Sequence, residues 1–264
     1  MPHDCFRSLS LLVLGFASLC ASAGATTVDL IPVADTAIFS AYPDNNFGNS
    51  TLETGTNGVG APGRALIRFD LSSIPANAII TGVELTMTVV RVPPGDQHAG
   101  PIISDFNLYK MLVPWTEGTS GTNSGSIAQV GETTWDELGA GGVAAWGAPG
   151  GQVGTDFENN PSTTAGVGTT VGPIVWGTTP QFVADVQSWL DDPSQNFGFI
   201  SISDQESSPG SARRMASRES AGSSAPTLTV TYTLVPEPGT AVLSVVGIVG
   251  LSGRRLRARR AAKS

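Results

Sequence analysis

Ala65-Leu66-Ile67-Arg68-Phe69-Asp70-Leu71, followed by Ser72-Ser73-Ile74-Pro75, sets Ala65, Ile67, Phe69 and Leu71 against Leu66, Arg68 and Asp70 on the other side of an extended chain. Successive strand side chains point to opposite faces, so one face of this run belongs to a core. A second run repeats the pattern, with Val83, Leu85, Met87 and Val89 alternating with Glu84, Thr86 and Thr88. Further strands are predicted at 106–113, 198–203 and 228–234. One short helix is predicted at 180–190: Thr179 can cap it, Pro180 suits its first position, and Phe182, Val186 and Trp189 share a stripe. The 32 glycines and 18 prolines, together with the absence of long helical periodicity, favour short strands joined by long loops. The expected fold is all-β, an antiparallel β-sandwich of jelly-roll type with one short helix.

Between Thr116 and Thr179 the pattern loosens into Gly, Thr and Ser around Trp135, Trp146 and Trp176. Loops this long are functional or poorly ordered. The tryptophans argue for order, since each can lose roughly 150–250 Å² of surface on packing, and they are expected to pin crossings over the sandwich edge.

The ends have a different character. Arg7, the apolar run from Leu9 to Leu19 and the small residues Ala21-Ser22-Ala23-Gly24-Ala25 form the pattern of a signal peptide over residues 1–25. Cys5 and Cys20 both fall inside it, so the exported chain has no cysteine for a disulfide. At the other end, Val235-Pro236-Glu237-Pro238 precedes an apolar stretch over 239–253 and then Arg254, Arg255, Arg257, Arg259, Arg260 and Lys263. As a helix that stretch is about 22 Å long, short of a bilayer core of roughly 30 Å, but the cationic block favours a membrane stop and its arginines can snorkel. Residues 26–234 are the folded domain and 235–264 a tail.

Charge divides the chain at the same places. From Thr26 to Pro238 there are 21 acidic and seven basic residues, a formal net of −14, whereas the tail beyond Gly253 carries +6. So acidic a body is not expected to bind nucleic acid over its face, and it can attract divalent cations; its acidity also serves solubility.

Two resemblances sharpen this. Pro236-Glu237-Pro238, an apolar stretch and an arginine cluster, in that order, resemble the PEP-CTERM sorting tail of bacteria. That implies transient membrane association and processing by an exosortase-type enzyme, after export machinery and signal peptidase have acted. The body resembles the DNRLRE family, a β-sandwich module related to carbohydrate-binding modules. The matching stretches are Ala34-Asp35-Thr36 with Asn45-Asn46-Phe47-Gly48; Ala65 through Pro75; Val113-Pro114-Trp115-Thr116-Glu117-Gly118 with Thr134-Trp135; Val186-Gln187-Ser188-Trp189 with Asn196-Phe197-Gly198-Phe199; and Ala216-Ser217-Arg218-Glu219-Ser220 before Pro226 through Tyr232. Met215 stands where that family has an aromatic, and Ala37 where it often has Tyr. The resemblance implies a secreted or wall-associated protein.

The residues offer little for catalysis. His98 is the sole histidine after the leader, and no nucleophile elbow accompanies it. Glu117, Glu132, Asp136, Glu137, Asp156 and Glu158 crowd the loose region, but sequence spacing cannot pair two of them for glycoside hydrolysis. The protein is expected not to be an enzyme. Calcium is a better use of hard donors: Asp35, Asp44, Asn45 and Asn46 around Gly48 can supply ligands, or Asn and Gly can simply make a turn there. Arg68 serves either a glycan carboxylate or an ion pair with Asp70 or Glu219.

Sugar binding joins an exposed ring to a few polar groups. Tyr42, Tyr109, Trp115, Trp135, Trp146 and Trp176 are the rings, and Arg64, Arg91 and Lys110 can meet uronate carboxylates. Trp189 and Trp115 are assigned to the core. Trp146 and Trp176 are expected to be the exposed pair, with Tyr109, Arg64 and Lys110 beside them as a glycan site. The expected function is non-catalytic: an exported surface or matrix protein that binds or organises extracellular polysaccharide, or one that supplies structural bulk alone.

Overall fold

The computed structural model describes residues 24–94, 102–120, 124–220 and 224–235. Most of the leader, His98 and the tail motif Pro236-Glu237-Pro238 lie outside the described residues.

The chain runs through β1 (Thr26–Leu30), β2 (Pro32–Phe39), β3 (Asn45–Asn46), β4 (Leu52–Thr56), β5 (Pro62–Phe69), β6 (Ala78–Arg91) and β7 (Ser104–Lys110). It continues through β8 (Ser126–Ile127), β9 (Thr163–Val167), β10 (Gly172–Trp176), the helix α1 (Pro180–Asp191), a 3-10 turn (Pro193–Gln195), β11 (Phe199–Ser203), β12 (Arg213–Met215) and β13 (Thr227–Leu234). All pairings between these strands are antiparallel. The expected antiparallel, sandwich-like all-β fold with one short helix is what forms.

One side is β1-β13-β6-β12-β4, with β10 on the other edge of β6; the second is β4-β5-β11-β7-β9, with β2 beside β5. β4 belongs to both, because Leu52, Glu53 and Thr54 pair with β12 while Gly55 and Thr56 pair with β5. Strands that switch sheets make the corners of such folds. Gly55 is suited to that corner: its φ is +100°, and a Cβ there would lie 2.6 Å from the Ser211 carbonyl oxygen.

The main core lies between the sheets. It takes Ile67 and Phe69 from β5, Val83, Leu85 and Met87 from β6, Phe106 and Leu108 from β7, Phe199 from β11, and Leu228 and Val230 from β13. These are the inward parities of the alternating runs, and each fully buried large side chain contributes roughly 1.5–3 kcal/mol. The helix closes one end. Thr179 Oγ1 accepts the Phe182 N–H at 2.9 Å, and Phe182 and Trp189 pack on Phe199 at 5.3 and 4.5 Å between ring centroids.

The other parity is not solvent-facing along its whole length. Ile38, Leu66 and Ile200 form a second core with Met111, Trp115, Leu138, Trp146 and Phe157. The loosely patterned region therefore folds over the outer face of the second sheet, not merely its edge. Trp135 and Trp146 pack into that second core, whereas Trp176 lies in the main one, and β9 and β10 within the region were not legible as strands.

Candidate functional site

The structure corrects the expected exposure of Trp146 and Trp176. Trp176 is 0% exposed and its Nε1–H donates to the Phe106 carbonyl at 2.8 Å; Trp146 is 7% exposed and donates to the Thr134 carbonyl at 2.9 Å. Neither ring can stack on a sugar. The flanking glycines and threonines suggested surface loops, but β10 points Ile174 and Trp176 into the main core, and Trp146 fills the second one.

The other three expected glycan residues are engaged within the fold. Arg64 makes a two-pronged ion pair with Glu206 at 2.8 and 2.7 Å, donates to the Gly150 and Gly151 carbonyls, and lies over the Trp135 ring at 5.5 Å. Tyr109 is half-buried against Phe157, with ring centroids 5.3 Å apart. Lys110 Nζ donates to Ser188 Oγ at 2.8 Å. Arg68 makes neither expected ion pair. It lies over Trp115 at 5.7 Å and, with Asp70, lines an apolar cleft of about 660 Å³.

A different cleft gathers cations and rings. Arg91, at the end of β6, stands opposite Arg214 on β12, and Arg214 stands opposite Glu53 on β4. Two like charges directly across a ladder repel, and a single carboxylate serves both. Arg214 Nε pairs with Glu53 Oε2 at 2.9 Å, while the Arg91 side chain makes no ion pair or hydrogen bond with a described residue. Burial pushes the Glu53 carboxyl up, against the opposing pull of Arg214 and Arg91. This row lines a cleft of about 310 Å³ whose other wall is Phe39, Tyr42 and Phe47. The three rings lie 6.3–6.4 Å apart, and Tyr42 keeps 43% of its surface open. A smaller cleft of about 100 Å³ adjoins it through Glu53, Asn57, Arg91 and Arg214. Tyr42 and Arg91 could be nominated from residue type; Arg214 needed the β12 register, which three residues of sequence do not announce.

The expected calcium ligands are also regrouped. Asn46 is a structural bracket: its Nδ2 donates to the Glu117 and Thr133 carbonyls, and its Oδ1 accepts the Gly48 and Ser120 N–H groups. Asn45 Nδ2 donates to the Ser124 carbonyl at 2.9 Å. The Asn46 amide is thereby committed at both ends to holding the turn, the alternative that the sequence left open, while the Asn45 amide nitrogen ties the turn to a second loop. Gly48 is required in that turn, because a Cβ would lie 2.1 Å from the Glu117 carbonyl oxygen. Asp44 is not among the acids that gather with Asp35.

Asp35 instead meets Glu117 and Glu219, with one carboxylate oxygen from each within 4.8 Å of the others. The Arg218 side chain joins Glu117 to Glu219, with Nε 2.5 and 2.9 Å from their Oε1 atoms and Nη2 2.9 Å from Glu117 Oε2. The Arg218 backbone N–H donates to Asp35 Oδ2 at 2.8 Å, and the Asp35 N–H donates to Glu117 Oε1 at 2.8 Å. Asp35 Oδ1 is buried with no hydrogen-bond partner among the described residues.

Burial, aided by Glu219 and Glu117 and opposed first by the Arg218 N–H, pushes the Asp35 carboxyl up to about 8. The unfolded chain loses that proton near pH 3.9. Asp35 therefore stabilises the fold most below pH ~4, and that contribution is lost progressively as pH rises to about 8. With divalent cations removed, urea unfolding of Asp35→Asn is expected to show a shallower fall in stability from pH 5 to 7 than the parent. Equal slopes would contradict the shift.

No family model matches the chain, and no curated protein matches it. The resemblances drawn from its motifs stand on those residues alone.

Proposed function

We propose that this is an exported, non-catalytic protein of the cell surface or extracellular matrix that binds anionic polysaccharide in the cleft between Tyr42 and the Arg91–Arg214 row. One observation carries the reading: in a body of formal net charge −14, two arginines stand side by side, with one buried carboxylate on the far side of Arg214, facing an open aromatic ring. Unbalanced cations recruit anions, and guanidinium forks match carboxylates in pairs. A ring beside them offers the apolar face of a pyranose a surface to cover. A uronate polymer supplies both features in each residue.

Location follows from the ends of the sequence. The leader directs export, and the Pro236-Glu237-Pro238 tail with its apolar and cationic segments holds the protein at the membrane until an exosortase-type enzyme releases it. Among the described residues no helix is long and apolar enough to cross a membrane. The tail lies outside them.

The test is competitive release. Protein displayed by cells should be washed free by a soluble polyuronate and not by a neutral glucan, with the polymer recovered at unchanged length. Arg91→Gln should be released by less competitor, because it removes a solvent-facing charge without stripping Glu53 of its partner. Equal release by both polymers would leave the structural-bulk reading in place; shortening of the polymer would point to an enzyme.

A further inference from the structure

Three carboxylates reach one point from three separated parts of the chain: Asp35 from β2, Glu117 from the loop after Trp115, and Glu219 from the turn after β12. Among the described residues Arg218 supplies the one positive charge in contact with them, so with all three acids ionised the cluster carries a formal charge of −2. The arginine also lies toward the outside. Its side chain is 39% exposed, against 15% for Glu117 and 26% for Glu219, while Asp35 is 0% exposed. The guanidinium binds the two glutamates, but only the Arg218 main chain reaches Asp35.

That leaves Asp35 Oδ1, an acceptor sealed from water with no donor among the described residues. A buried unmet acceptor costs about 1–3 kcal/mol, and more when charged. Such an atom needs either a proton or a cation.

We infer that Asp35, Glu117 and Glu219 form a calcium site that pins β2 to the loop after Trp115 and to the turn between β12 and β13. The spacing allows it. Two oxygens bound to one calcium at about 2.3–2.6 Å lie at most roughly 5 Å apart, and the three donor atoms are within 4.8 Å of one another without any movement of the backbone. All donors are hard oxygens, with neither sulfur nor imidazole among them, which favours calcium or magnesium over zinc. Acids held on a strand and two turns give an irregular set, which calcium accepts with waters completing its shell, whereas magnesium demands a near-ideal octahedron. A divalent ion brings the cluster to neutrality with Arg218 still in place. The site is separate from the Arg91 cleft and does not depend on what that cleft binds.

The full chain, in the processed form recovered from cells, is freed of metal with a chelator and then titrated with calcium while its melting temperature and radioactive calcium uptake are followed. Expected are a saturable rise in melting temperature and one ion bound per chain, at concentrations in the range of about 10⁻⁴–10⁻³ M typical of extracellular modules. Asp35→Asn should abolish both. Glu219→Gln, at a more accessible acid, should raise the half-saturating concentration about tenfold and leave the metal-free melting temperature nearly unchanged. Asp136→Asn, at an exposed acid outside the cluster, should change neither readout. The inference is overturned if calcium gives no uptake and no shift at millimolar concentration, if magnesium is bound in preference, or if Asp136→Asn weakens uptake as much as Glu219→Gln does.

Discussion

Trp176→Ala is expected to lower the unfolding free energy by about 3–5 kcal/mol, the range for deleting a large aromatic from a well-packed core. The ring is fully buried between the sheets, where it joins Phe106, Leu85 and Ile174 in one apolar cluster. Its Nε1–H also satisfies the Phe106 carbonyl, which would lose that donor. Domains of this kind hold roughly 5–15 kcal/mol in all, so the variant should melt far below the parent or fail to accumulate. Urea midpoints read at constant m-value measure the loss. If Trp176→Ala instead kept the parental midpoint while losing polysaccharide binding, the ring would be a ligand platform and the core assignment would be wrong.

Arg213 should be nearly as costly to lose, for a different reason. It is 0% exposed and has no carboxylate partner among the described residues. Its guanidinium donates to five main-chain carbonyls, those of Ile102, Gly168, Gly210, Ser211 and Ala212, and so ties β12 to the ends of neighbouring loops. Burial holds its pKa below the usual arginine value. Arg213→Met keeps much of the volume and removes every donor, leaving several carbonyls unmet at about 1–3 kcal/mol each where water cannot replace them. The expected loss is at least about 3 kcal/mol. Arg213→Lys should recover only part of it, since an ammonium has three donors and no planar fork. A loss below about 1 kcal/mol for Arg213→Met would show that those carbonyls find other partners.

These two residues mark where the sequence was legible and where it was not. The strands around Ile67, Leu85, Leu108 and Val230 were readable because each puts an apolar residue at every second position. The helix was readable from Thr179, Pro180 and its stripe. β9 and β10 were hidden because the inward positions of β9 are Thr163, Ala165 and Val167, and β10 opens on Gly172-Pro173, so small and turn-forming residues masked a period of two. That masking also put Trp176 on the wrong side of the surface. Trp146 was misplaced because the outer face of β5 and β11 is covered by a second core, and a strand's alternation cannot say what lies over its other face.

The sites were half visible. Asp35 was named as a ligand, yet its companions Glu117 and Glu219 lie 82 and 184 positions away and only the folded chain brings them to it. Arg91 and Tyr42 can be named by residue type, but the pairing of Arg91 with Arg214 depends on the register of β12 against β6. Arg64 and Lys110 were misjudged in the same way: a cation in sequence does not show whether the fold already supplies its partner.

The central claim, that an acidic polysaccharide is held by the Arg91–Arg214 row, is tested most directly by isothermal titration of the protein with a short uronate oligosaccharide at two salt concentrations. Expected are a saturable isotherm that weakens with salt, roughly 10- to 150-fold weaker affinity for Arg91→Gln, as for one charge-assisted contact of about 1.5–3 kcal/mol, and no heat with a neutral oligosaccharide of the same length. Binding that is the same in Arg91→Gln, or equally tight for the neutral sugar, would contradict it.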